Sequence, residues 1–163
     1  MDYRIEEKSA IKCVGKIYKI PKGVDVCSNS WNLYLDVNSE KDGKTPNEVI
    51  AYTFNLDRAP LWQVGLSHSL EDGSVEMSIG AEAGDGEYPC FDLFEIPAAT
   101  WAMFKGKGKV YEGYEALYTK IHSEWFPSSG YEQSMQYTVE IYPPGDAGSD
   151  DYEIEIWIPV KKK

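Results

Sequence analysis

Two carboxylates stand where strand spacing can make them do chemistry. Glu155 is followed two residues on by Trp157, and Glu140 two residues on by Tyr142. On a β-strand, residues two apart share a face, so each acid is set beside a large ring. A carboxylate among rings attracts a lipophilic cation, which also gains cation–π contacts of about 0.5–2 kcal/mol. The same acid, desolvated and with a raised pKa, can activate water towards an electrophile while Trp157 or Tyr142 orients the substrate. The plain alternative is a wetted sheet face carrying ordinary charged residues. No Lys or Arg occurs between Gln133 and Pro159. The sequence therefore offers Glu155 no local counter-ion, and the expectation is that Glu155→Gln keeps the fold, or gains a little stability, while weakening cation binding. Trp101, beside the small residues Ala98, Ala99 and Ala102, and Tyr18 are further candidates for a pocket wall; either can equally be core.

The elements that must position these residues follow from the hydrophobic pattern. Asp151 to Val160 alternates cleanly, with Tyr152, Ile154, Ile156, Ile158 and Val160 on one parity and Glu153, Glu155 and Trp157 on the other. Met135, Tyr137, Val139 and Ile141 alternate in the strand before it, with Thr138, Glu140 and Tyr142 opposite. Tyr111 to Trp125 reads as the best helix, with Tyr114, Leu117, Tyr118, Ile121 and Trp125 in one stripe, stopped by Pro127. Ile5 to Ile20 and Phe94 to Lys105 read as strands with both parities apolar, hence covered on both faces. Trp62 to Ala81 reads as a hairpin turning at Glu71-Asp72-Gly73. Short helices are expected within Asp25–Ser39 and from Thr45 to about Phe54, and Ala83 to Pro89 reads as a linker.

The order strand, helical segment, hairpin thus occurs twice. Ser9-Ala10-Ile11-Lys12-Cys13-Val14 and Pro97-Ala98-Ala99-Thr100-Trp101-Ala102 occupy matching places. The expectation is one α+β domain over residues 1–163, its halves at about 1–83 and 90–163. It would be a pseudo-two-fold tandem repeat of strand-helix-strand-strand modules, with antiparallel sheets, helices on one face and a central cleft.

Composition narrows the partners. The chain has 163 residues, a net charge of −11, and 13% aromatics with 12 Tyr and 5 Trp. Such a charge repels phosphate backbones and anionic membranes, so no direct nucleic-acid or membrane binding is expected. The three cysteines, Cys13, Cys27 and Cys90, form no CxxC and suit reduced thiols in a cytoplasmic protein. No signal peptide and no long apolar span is read. His68 and His122 are lone, so neither metal nor cofactor is expected.

Three phrases carry a resemblance: Glu124-Trp125-Phe126-Pro127-Ser128-Ser129-Gly130-Tyr131-Glu132, Glu140-Ile141-Tyr142-Pro143, and Glu155-Ile156-Trp157-Ile158-Pro159-Val160-Lys161. In that order, after Ile96-Pro97-Ala98-Ala99, they resemble the GyrI-like (gyrase-inhibitor-like) small-molecule-binding family, as found in effector-binding parts of AraC-type and multidrug-sensing regulators. The first half departs from the family in its short, interrupted helix. The resemblance implies a cleft that binds hydrophobic, often cationic, molecules over a glutamate, with Glu140 and Glu155 at the matching positions. It implies a stand-alone member without a helix-turn-helix domain, acting as sensor, sequestering agent or partner of a separate regulator. Hydrolysis of small electrophiles and a protein-interaction role such as gyrase binding are the other readings.

Overall fold

A computed structural model describes residues 1–23, 63–83, 91–143 and 145–163. The two short helices read from the sequence, and the linker beyond Ala83, lie outside the described residues. Among those residues, nine strands form one antiparallel sheet with a single long helix. The strands are β1 (Asp2–Lys8), β2 (Ile11–Ile20), β3 (Val64–Ser69), β4 (Val75–Glu82), β5 (Asp92–Ile96), β6 (Ala99–Lys107), β7 (Tyr131–Gln133), β8 (Tyr137–Ile141) and β9 (Glu153–Lys162). Their order is β1-β6-β9-β8-β3-β4-β2-β5, with β7 added on β9.

That order makes the sheet curl. Strands β1 and β2 lie six places apart, yet only Ser9 and Ala10 join them; β5 and β6 are likewise six apart, joined by Pro97 and Ala98. Six strand spacings in a flat sheet cover about 29 Å. Three peptide units reach about 11 Å at most. Both short links are possible only if the sheet bends until its ends approach. Each of the two long strands read from the sequence is thus two strands. Pro97 has no N–H to give a ladder, which marks one break; no such signal stands at Ser9-Ala10.

Strands β2 and β4 approach each other closely at one point. Gly15 pairs with Gly80 there, and a Cβ on Gly80 would sit 2.0 Å from the Val14 carbonyl oxygen. Only glycine allows that approach. The hairpin β3–β4 turns at Gly73, with φ of 83°, and the Asp72 carboxylate accepts from the Ser74 N–H at 2.8 Å.

Each face has its own core. On the concave face, Cys13, Val64, Leu66, Ile96, Trp101, Met103, Val139, Ile141 and Trp157 form one buried cluster that spans both ends of the sheet. On the convex face, Ala102, Phe104, Ile154, Ile156 and Ile158 pack beneath helix α1 (Val110–Lys120), which supplies Val110, Tyr114 and Leu117. Strand β6 is therefore apolar on both parities because both faces are covered, as its sequence requires. The helix runs on through one π-helical turn, Ile121–Trp125, closed by the Phe126 N–H donating to the Ile121 carbonyl. Pro127 explains the wide turn, since it has no N–H to give and its ring crowds the carbonyl four residues back. The wide turn still points Ile121 and Trp125 inward, and Trp125 meets Phe104 edge-on at 4.9 Å. Tyr118, expected in the buried stripe, is 43% exposed.

Candidate functional site

Strand register decides which sequence candidates meet. Met103 pairs with Trp157 and Lys105 with Glu155 across β6–β9, while Val139 pairs with Trp157 and Ile141 with Glu155 across β8–β9. Directly paired residues share a face. Glu155, Trp157 and Trp101 therefore lie together on the concave face. Glu140 instead pairs with Ile156, which places it on the convex face. Tyr142 belongs to the core under the helix and contacts the Tyr114 ring at 5.0 Å. Tyr18, paired with Met77, lies against a small convex-face cluster of Ile20, Val75, Met77 and Ile79. Six candidates divide three and three, and the two glutamates are on opposite sides of one sheet. Spacing fixes parity within a strand; only register relates one strand to the next.

The concave-face site is built on β9 and β6 and rimmed by β1. Glu155 is 16% exposed at its side chain. Its Oε1 accepts from the Trp157 Nε1–H at 2.5 Å and from the Arg4 guanidinium at 2.9 Å. The carboxylate is thus paired, by a cation from a strand 151 residues away in sequence, contrary to the local reading. Arg4 also donates to Glu6 Oε1 at 2.9 Å, and Lys8 reaches Glu6 Oε2 at 3.2 Å. The Lys8 ammonium stands 5.4 Å from the centre of the Trp157 ring. The Glu155 hydrogen bond, against the opposing effect of burial, holds the Arg4 pKa above its ordinary value. Bonds from Lys8 and then Arg4 hold Glu6 below its own.

Deeper on the same face, Trp101 is fully buried 6.2 Å from the Trp157 ring, and its indole N–H has no partner among the described residues. Glu82 pairs with Cys13 across β2–β4. One Glu82 oxygen is likewise buried without a partner, and burial raises its pKa. Desolvation, followed by the charge of Glu82, pushes the Cys13 thiol up to about 12. A donor and an acceptor, each without a partner among the described residues, stand on one mostly apolar face, which is how small-molecule sites are commonly furnished.

On the convex face, the Tyr142 hydroxyl donates to Glu140. Burial raises the Glu140 pKa and the phenol bond opposes that shift. The Tyr114 hydroxyl donates to the Ile141 carbonyl. This is a polar pair under a helix, separate from the indoles of the concave face.

The sequence reading missed Arg4, Lys8 and Glu82. For the first two a signal exists: Arg4, Glu6 and Lys8 alternate on one parity of β1, the pattern of a charged rim. Glu82, at a strand end beside a Gly- and acid-rich stretch, carries no such mark. Among the described residues, no group of three or more His, Cys, Asp or Glu side chains can hold a metal ion, and no helix is long and apolar enough to cross a membrane.

No curated protein matches the chain. Solved structures do. SAV2435 bound to tetraphenylphosphonium superposes with a TM-score of 0.76 at 20% identity, over 99% of this chain and 94% of that one. A putative bacterial transcription regulation protein from Staphylococcus aureus MU50 gives 0.72 at 21%, over 99% of both. The EcmrR C-terminal domain gives 0.62 at 18%, over 99% and 98%. These likenesses show a shared fold. A model of the GyrI-like small molecule binding domain matches residues 1–161, and the chain belongs to that family.

Proposed function

We infer that this chain binds a small hydrophobic molecule on its concave face, with the indoles of Trp101 and Trp157 as walls and Glu155 as the polar anchor. One observation carries the reading: an inward-facing carboxylate is held against an indole, beside a second buried indole whose N–H has no partner among the described residues. A carboxylate and two ring systems favour a cation with a large apolar surface over a neutral molecule of the same shape. That SAV2435 has been seen with tetraphenylphosphonium, such a cation, agrees with this preference. The net charge of −11 adds a general attraction for cations.

A two-fold repeat underlies the face. Support for it comes from the strand order, which reads alike from either end once β1 is exchanged with β5, β2 with β6, β3 with β8 and β4 with β9. The two similar sequence phrases fall on the two short links that force the curl. In this reading Glu140 and Tyr142 stabilise the second half under its helix. A water-activating role for Glu140 would set it apart from Trp157. A cytoplasmic sensor, or a partner of a separate regulator or of gyrase, is the setting such binding suits.

The test is calorimetric titration with tetraphenylphosphonium beside neutral triphenylphosphine oxide, on the wild-type protein and on Glu155→Gln. The expected result is saturable cation binding that weakens about fivefold in the variant, a charge-assisted contact worth about 1 kcal/mol. The neutral probe should change little. Equal cation affinity in two folded proteins removes Glu155 from the site.

A further inference from the structure

We propose that Arg4 is a tethered competitor for cationic ligands at Glu155, and so sets the ligand specificity of the concave face. The proposal rests on the small-molecule-binding reading above. The guanidinium already occupies the position a bound cation would take, at 2.9 and 3.4 Å from the two Glu155 oxygens. It is not locked there. Its side chain is 39% exposed, and its Nε–H is held by a second carboxylate, Glu6, at 2.9 Å. Glu6 is 43% exposed and lies on the same face of β1, two residues on from Arg4. Arg4 can therefore release Glu155 and keep a salt bridge, so its displacement costs one contact rather than a full charge separation.

The charges on this rim balance: Arg4 and Lys8 stand against Glu6 and Glu155, and Lys105, paired with Glu155 across β6–β9, against Asp2, its own partner on β1. A small hydrated cation entering the site would replace an arginine that already satisfies Glu155, and would gain nothing. A cation with broad apolar surface gains burial against Trp101 and Trp157 as well, which offsets the displacement. Arg4 thus admits hydrophobic cations and turns away polar ones, without altering the pocket wall.

The competition makes two substitutions act in opposite directions. Arg4→Met removes the competitor, and tetraphenylphosphonium should bind about sixfold tighter. Glu6→Gln removes the second holding point, leaves Arg4 more firmly on Glu155, and should weaken the cation about twofold. The two are also read in a cycle with Glu155. If Glu155→Gln alone weakens binding about fivefold, it should weaken it about thirtyfold in the Arg4→Met background, because the carboxylate is then free of the guanidinium. Triphenylphosphine oxide should bind alike in all the variants. Thermal melts confirm that each is folded, and Glu6→Gln, at an exposed position, tests the sign even if Arg4→Met is damaged. Saturable cation binding in the wild type with no tightening in folded Arg4→Met, or with Glu6→Gln binding tighter, overturns the competitor role alone. No cation binding in any of the proteins overturns the binding reading, and the competitor role with it.

Discussion

Glu140 shows how one residue writes itself into the pH dependence of the fold. Burial raises its native pKa, and the Tyr142 phenol only partly opposes this. Unfolding returns the group to an ordinary carboxylate. Between the ordinary value and the raised one, the native state holds more protons than the unfolded state, so stability falls as pH rises through that window. Glu140→Gln removes the titration and keeps an acceptor for the Tyr142 hydroxyl. Urea denaturation from pH 4 to 8 should show the variant gaining on the wild type as pH rises, with little difference at the acid end. A constant difference across the range would remove burial as the cause. Cys13 offers a simpler check. A fully buried thiol pushed up to about 12 is protonated and shielded at neutral pH. Peptide mapping after brief iodoacetamide treatment should find Cys13 unmodified in the native protein and modified in denaturant. At this scale the sequence was informative within a strand and silent between strands. The Glu155–Trp157 pair was legible because two residues apart means one face. The Arg4–Glu155 pair was not, because nothing local to β9 tells which strand lies two places away.

Among the elements, the long strands were half legible. Two-sided apolar patterns correctly marked β6 as covered on both faces, and β2 only in part, at Cys13 and Val14, since Ile17 is exposed; a run of apolar residues also does not show where one strand leaves its partner and another begins. The helix stripe was legible in Tyr114, Leu117, Ile121 and Trp125, and its π-helical turn was not. The close approach of β2 and β4 is the most exacting local feature. Gly80→Ala would force a Cβ to within 2.0 Å of a backbone oxygen, and strands there cannot part without disturbing the concave cluster at Cys13 and the small convex cluster of Ile20, Val75, Met77 and Ile79. The expected loss is about 3 kcal/mol or more, read from chemical denaturation midpoints. A loss under about 1 kcal/mol would mean that the sheet bends more freely than this close pairing implies. Trp125→Ala, which empties a site ringed by Tyr3, Phe104, Phe126 and Tyr131, should cost about 3–5 kcal/mol.

At the scale of the molecule, two short links bend the one sheet of the described residues, and its inner face carries the cluster that includes Trp101 and Trp157. The helix and the Glu140–Tyr142 pair support that sheet from outside. The central claim is that ligand enters the inner face, between Trp101 and Trp157, and not the helix side. It is tested most directly through the indole N–H resonances of nitrogen-15-labelled protein, assigned by single Trp→Phe variants and followed as tetraphenylphosphonium is added. The expected result is saturable shifts for Trp101 and Trp157, with Trp125 on the convex face unmoved. Saturable binding that shifts Trp125 and leaves Trp101 and Trp157 in place would contradict it.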